Sequence, residues 1–278
     1  MTTSYRQIKT LSIPWSDDPD IPGFKQKLLH QDPDSGAVVR LWYVPPGWGR
    51  DILNGKPDRH YHQTVIERGY HIYGDFPHWE FDDAADPEGT CVLLSTGMFM
   101  DRPVMSLHGL QPEPVSQAGA VILYWNTGRG TSIREPGFEL ETINVPFNGE
   151  GSGDWPEFNA ARLEQTMDLP WEPHQRVRGW KWKPLASASH GSGAVSLVHI
   201  PTDWAADKPV ALATTPGWLF AVHGDLRLAA GSESLLLGEG DYLELDAPEA
   251  LQLGTEPCTE TGCTALWVGG GSRRRLSL

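Results

Sequence analysis

His60 and His62, separated only by Tyr61, together with Glu67 and His108 offer three imidazoles and one carboxylate. That donor set suits a divalent first-row transition metal. Side chains of a strand alternate faces with period two, so His60 and His62 would share one face and Tyr61 would take the other. Glu67 follows after a short turn, from where a neighbouring strand can reach the same centre. Four protein donors on a six-coordinate ion leave two positions open, the requirement for chemistry at a metal. Three neutral imidazoles and one carboxylate leave a divalent ion with a net charge of about +1, which favours an enolate, phenolate or carboxylate. With Fe(II), a chelated electron-rich substrate and O₂ can sit side by side and a carbon–carbon bond can be cleaved. With Mn(II), Ni(II) or Zn(II), decarboxylation, isomerisation or hydrolysis becomes accessible. Ligand type alone does not separate these ions.

Other residues are candidates around this centre. On a strand beginning at Glu67, positions 69, 71 and 73 share the inward face, which makes His71 and Tyr73 the expected catalytic pair lining the pocket. His71 reads either as a general acid/base, as a group orienting a ligand, or as a hydrogen-bonded core histidine. His78, with Trp79 and Phe81, forms either the lip of the pocket or an ordinary hairpin surface. Arg40 and Trp42 share one face of an early strand. If that face is interior, Arg40 needs a substrate anion or an acid such as Glu67; the exterior reading is preferred. Met98, Met100 and Met105 read first as core filler and second as an adaptable wall for an apolar substrate. Glu135, Glu139 and Glu141 could supply a separate acid or base, although such a run is more often a solvated face.

The elements that must position these residues are strands. Thirty Gly and 23 Pro in 278 residues punctuate short Val/Leu/Ile/Tyr/Trp runs, a pattern that predicts an all-β protein built as a sandwich or barrel. Such runs recur from Val38 to Trp125, and a second series extends from about Gly179 to Val268. Between them the chain turns polar, with a loop at Gly149–Asp154 and a short helix predicted over Glu157–Met167. The expected organisation is a first barrel over 1–148, a linker over 149–178 and a second barrel over 179–278. A faint repeat lays Glu67–Gly74 over Gly217–Gly224, and Gly97–Asp101 over Gly240–Glu244.

A formal charge of −14 argues against nucleic acid and anionic membrane as partners. No apolar run is long enough to span a bilayer, and no secretion signal opens the chain. Cys91, Cys258 and Cys263 are too few for a disulfide framework, which points to a reducing compartment. A soluble, cytoplasmic protein is expected, with the Arg273–Arg275 cluster a solvated tail.

The residues quoted above resemble the two motifs of the cupin superfamily. His60, His62, Glu67 and Gly74 fit the first, with Gly55 one residue closer than the usual leading glycine. Gly97, Pro103 and His108 fit the second, with Met105 where glycine is usual and Pro112 where a small polar residue often stands. The resemblance implies a small antiparallel jelly roll holding the metal inside. The second half resembles another cupin by layout, but its ligand positions would fall near Val210, Leu212, Gly217 and Leu251, none of which can ligate. The expectation is therefore all-β, two jelly-roll (cupin) barrels with few short helices, and one divalent metal per chain, iron favoured over manganese, nickel or zinc. The leading functional reading is an Fe(II) dioxygenase acting on a small chelating, oxygenated organic substrate. The alternatives are a non-oxidative decarboxylase, lyase or isomerase, and a non-enzymatic small-molecule sensor. Exposed sheet edges suggest a homodimer.

Overall fold

The computed structural model describes residues 5–49, 58–82, 88–110, 113–129, 132–134, 159–188, 192–213, 215–231, 233–246 and 251–269. Gly55, Pro112, the Gly149–Asp154 loop, Glu135, Glu139, Glu141 and the Arg273–Arg275 cluster lie outside them. The described residues form antiparallel strands and two single 3-10 turns, at Thr10–Ser12 and Thr166–Asp168, and contain no α-helix. The fold is all-β, as the turn-rich sequence requires. No helix of the described residues is long and apolar enough to cross a membrane.

The chain divides into two units, Pro14–Met167 and Met1–Ile13 with Asp168–Leu278. This corrects the expected boundaries of 1–148, 149–178 and 179–278. It also removes the predicted helix: within Glu157–Met167 the described part is a strand, Arg162–Gln165, followed by a 3-10 turn. Good helix formers such as Ala160, Ala161, Leu163 and Glu164 bias the segment towards helix, but pairing of Arg162–Gln165 with Met98–Arg102 satisfies its backbone in a sheet instead. Tyr5–Lys9 pairs with Asp241–Leu245 in the same way. The first strand of each sequence half thus completes the sheet of the other half's unit, a connection that no local pattern predicts.

In the Pro14–Met167 unit one sheet runs Lys25–Gln31, Val38–Val44, Ala120–Asn126, Glu67–Tyr73 and Met98–Arg102 side by side. A second sheet carries Thr90–Ser95 and His108–Leu110 beside the far half of the Glu67–Glu80 strand, with Asp58–His62 beyond His108–Leu110. One 14-residue strand therefore serves both sheets. It changes sheet at a bulge, where Ile122 faces His71 but Val121 faces Tyr73 and one residue is left over. Gly74 follows at φ 79°, where an added Cβ would lie 1.9 Å from the Gly119 carbonyl oxygen, so only glycine allows the bend.

The bulge shifts the parity of the strand. Glu67 and His71 face the interior before it, and Phe76 and His78 face the interior after it. Tyr73 is 58% exposed, so its expected place in the pocket is corrected: unbroken alternation would have turned it inward, and the extra residue turns it out.

Candidate metal centre

The histidine pair sits on Asp58–His62, and pairing places His60 directly across from His108. Gly109 makes this possible, because a Cβ there would lie 1.7 Å from the Asp58 carbonyl oxygen. Met105 stands at φ 63° in the turn before His108 and donates its N–H to the His62 carbonyl at 2.7 Å. The position expected to hold glycine indeed needs the left-handed region, and methionine adopts it. Met105 packs with Tyr61, Trp79, Phe81 and Leu107 in a small cluster behind the ligand strand.

One ligand atom from each of His60, His62 and His108 lies within 4.8 Å of the others, the only such group among the described residues. Glu67 completes the set: its Oε1 is 3.4 Å from His62 Nε2 and its Oε2 is 3.1 Å from His108 Nε2. Bonds of about 2.1 Å put neighbouring donors of a four- to six-coordinate ion roughly 3 to 4 Å apart, so these residues fit a divalent metal. Ring orientation supports the fit. His108 Nδ1 donates to the Ser106 carbonyl at 2.9 Å, and His60 Nδ1 lies 3.1 Å from the buried Asp58 carboxylate. Both contacts leave Nε2 as the ligand atom.

The electrostatics favour the ligating forms. Burial, with Arg102 and His60 nearby, pulls His108 down to about 4, so its imidazole is neutral. Burial alone would raise the Glu67 carboxyl, but His62 and His108 outweigh it and hold it well below the usual carboxylate range. Tyr124 donates a 2.5 Å hydrogen bond to Glu67 Oε1, and burial together with that carboxylate pushes the phenol well above its ordinary value.

The cluster opens onto a cavity of about 590 Å³ inside the Pro14–Met167 unit. His71 lines it, is 1% exposed, and is held neutral at about 3 by burial and by Arg102; its Nδ1 meets no hydrogen-bond partner among the described residues. His78 lines it too, within the cavity rather than at a surface hairpin. Burial first and Arg102 second push His78 well below its ordinary value.

Arg40 corrects another expectation: the exterior reading fails, since the side chain is buried and lines the cavity. Its partner is Asp18, at 3.0 Å, rather than Glu67. Met100 lines the cavity, while Met98 packs at the edge of the same core.

Four contributors escaped the sequence reading. Asp58 precedes His60 by two and so had to share its face, which is a legible signal. Arg102 faces Glu67 across the sheet, ion-pairs with Glu80 and approaches His78 Nδ1 at 3.0 Å. Tyr124 and Glu80 are visible only once the strands are paired.

No family model and no curated protein matches the sequence. Solved structures do. A protein provisionally named glyoxylate-induced, from Pseudomonas aeruginosa, superposes over 100% of this chain and 93% of its own with a TM-score of 0.62 at 11% identity. A provisionally named dioxygenase from Nostoc punctiforme covers 100% and 86% with a TM-score of 0.62 at 15% identity. A mutant of the Bacillus subtilis oxalate decarboxylase covers 95% and 76% with a TM-score of 0.55 at 15% identity.

The chain has the two-barrel cupin fold.

In a cupin barrel the interior can be filled by side chains or left as a cavity. Here the Pro14–Met167 barrel keeps the cavity and the four donors on its wall.

Proposed function

We propose that the first barrel is a metal-dependent oxygenase, an Fe(II) dioxygenase acting on a small apolar or aromatic molecule that presents a chelating pair of oxygens. The observation that carries this reading is the three-imidazole, one-carboxylate cluster on the wall of a roughly 590 Å³ cavity lined by Phe24, Trp42, Trp48, Phe76 and Ile122. Cavities of this size accept ligands well beyond a two-carbon acid. His60, His62, Glu67 and His108 would hold the ion, which supplies Lewis acidity and, as iron, one-electron chemistry with O₂. Manganese, nickel and zinc suit the same donors.

The protein's own groups have defined tasks. The aromatic wall excludes water from the reacting molecule. Tyr124 fixes the orientation of Glu67, and Asp58 that of His60. His71, neutral and buried, can orient an entering enol or phenol through a hydrogen bond to its ring. The likeness to a provisionally named dioxygenase supports this reading. Iron-loaded protein offered β-diketones, flavonols and catechols should consume O₂ in step with substrate loss. No uptake with any of them excludes the oxygenase.

A second reading, a non-oxidative decarboxylase or isomerase, is favoured by the Arg102–Glu80–His78 cluster together with His71. Such enzymes need acid, base or anion-binding groups apart from the ligands, and the likeness to an oxalate decarboxylase points the same way. Turnover that persists without O₂ selects it.

A further inference from the structure

Three arginines line the cavity, Arg40, Arg102 and Arg129. Arg40 Nη1 donates to Asp18 Oδ2 at 3.0 Å, with the Asp20 carboxylate 3.7 Å away. Arg102 ion-pairs with Glu80. Arg129 lies exposed just beyond the Ala120–Asn126 strand, with its N–H on the Ser35 carbonyl at 2.8 Å. It brings to the rim a positive charge that no ion pair among the described residues answers.

Deeper in, hydrogen-bond donors stand without acceptors. Arg102 spends Nε and Nη2 on Glu80, and Nη2 also lies 3.0 Å from His78 Nδ1. Its Nη1 has no partner among the described residues, on a side chain that is 4% exposed and lines the cavity. An arginine can only donate, and Arg102 is closer to His78 Nδ1 than the Trp79 carbonyl is, at 3.2 Å. His78 Nδ1 therefore accepts, and the proton of the neutral ring sits on Nε2, the nitrogen left to the cavity. His71 Nδ1 is enclosed without a partner among the described residues, so this ring too meets the cavity through Nε2. An unmade buried N–H is rarer than an unmade lone pair, which puts the His71 proton on Nε2 as well.

Arg102 Nη1, His71 Nε2 and His78 Nε2 thus form a patch that offers hydrogens only. It adjoins the metal centre: the Arg102 backbone pairs with Glu67, and the His78 ring lies 5.6 Å from that of His108. No nearby carboxylate competes for these hydrogens, because Glu80 is spent on Arg102, and Glu67 on the ligand set and Tyr124. A carboxylate has about four lone-pair sites on its two oxygens, so one can serve an ion while the others accept. A carbonyl oxygen bound to an ion has about one left.

We infer that Arg102, His71 and His78 receive a carboxylate of the substrate. Resting on the metal-dependent reading above, the substrate class is an acid with an oxo or hydroxyl oxygen on the neighbouring carbon and an apolar tail. Those two groups are the chelating pair, and the donor patch takes the remaining lone pairs of the carboxylate. Phe24, Trp42, Trp48 and Phe76 enclose the tail.

The test uses the full chain loaded with zinc, which chelates without redox chemistry. Calorimetry compares 2-oxo-4-phenylbutanoate, its primary amide and 1-phenylbutane-1,3-dione, the last a probe of chelation alone. The wild type should bind the acid about tenfold tighter than the amide, or more, since the amide brings hydrogens of its own to the patch. His78→Leu removes one donor and leaves the Arg102–Glu80 pair in place. It should weaken the acid about tenfold, the size of one hydrogen bond to a charged group, and leave zinc content and amide affinity unchanged. Arg102→Leu/Glu80→Ala removes the pair together, should do the same, and carries the test if His78→Leu loses its zinc. Arg129→Gln should change acid affinity by no more than about twofold in about 0.5 M salt, where an exposed charge is screened.

Equal affinities for acid and amide, or an acid preference that survives both patch variants, overturns the patch, while the diketone still reports on the metal reading. Loss of the preference in Arg129→Gln alone places the carboxylate at the rim and overturns the patch too. Failure of all three ligands to bind protein that retains its zinc overturns the chelation reading, and this inference with it.

Discussion

The two barrels share their strand registers and differ in what fills them. The bulge that faces Ile122 to His71 and Val121 to Tyr73 recurs where Ala265 faces Ala221 and Thr264 faces His223. Gly74 and Gly224 follow it at φ 79° and 83°, each pressed against the carbonyl of Gly119 or Gly262. With the registers aligned, His60 corresponds to Leu212, Glu67 to Gly217, Gly69 to Leu219, His78 to Leu228, Arg102 to Leu245 and His108 to Leu251. Those leucines belong to or pack against one apolar cluster, in which Leu245 and Leu251 are fully buried. The same backbone closes over an apolar core in one barrel and over a donor-lined cavity in the other. The lesson is that the fold supplies the positions and six or so side chains decide whether they hold a site.

The largest break in this contrast should come from His62→Ala, which removes one donor from the first barrel. Metal per chain should fall from about one to near zero with the circular dichroism unchanged, because three remaining donors hold a divalent ion far less firmly. Leu212→Ala, at the second barrel's counterpart of His60, should leave metal content untouched. Loss of the fold in His62→Ala would instead make the site structural.

Acid should separate the barrels next. His71 is neutral in the fold at about 3 and would titrate near 6.5 unfolded. Its contribution to stability is therefore complete above pH 6.5 and is lost progressively as pH falls towards 3, since the unfolded chain takes up the proton first. The position equivalent to His71 in the second barrel is Ala221, which carries no such dependence. In urea titrations, wild type relative to His71→Asn should lose about 2 kcal/mol between pH 6.5 and pH 5. A constant difference between the two proteins would mean that His71 is not buried neutral.

Asp58→Asn tests a finer part of the site. The carboxylate at His60 Nδ1 holds the ring with Nε2 towards the cluster, and losing its charge should weaken metal binding by about 10- to 100-fold in a chelator competition. Unchanged affinity would make Asp58 a packing residue.

Much of this site was legible because its donors obey short periodic rules. His60 and His62 needed only strand alternation, and Glu67 and His108 needed only spacing. Asp58 obeyed the same alternation and could have been read with them. What the sequence concealed depends on pairing. Arg102 pairs opposite Glu67 from 35 positions away and Tyr124 bonds it from 57, and Arg40 turned inward because Asp18, in a preceding loop, neutralises it. The strand exchange between units was masked by helix-forming residues, yet a stronger repeat than the one recognised marks it. Thr10, Pro14, Trp15, Gly23, Lys25 and Lys27 recur as Thr166, Pro170, Trp171, Gly179, Lys181 and Lys183, all offset by 156. Even the turn after them is shared, with Gly47 at φ 75° and Asp203 at φ 56°. That repeat starts the second half at Arg162 rather than at 179.

The smallest predicted effect isolates the bulge. Tyr73 looked catalytic only under unbroken alternation, and its ring is in fact 58% exposed on the outer face. Its counterpart His223 is on the same side of the same bulge in a barrel whose described residues hold no group of metal-ligand side chains, so the outward turn belongs to the backbone and not to the chemistry. Tyr73→Ser should therefore leave metal content and substrate turnover unchanged and shift urea stability by no more than about 0.5 kcal/mol, the range of an ordinary surface substitution. A large loss of turnover with normal metal content would show that the strand can slip by one residue and present Tyr73 to the cavity. Because Gly74 can bend only where the Gly119 carbonyl leaves room, such a slip would have to break the sheet on both sides of the bulge.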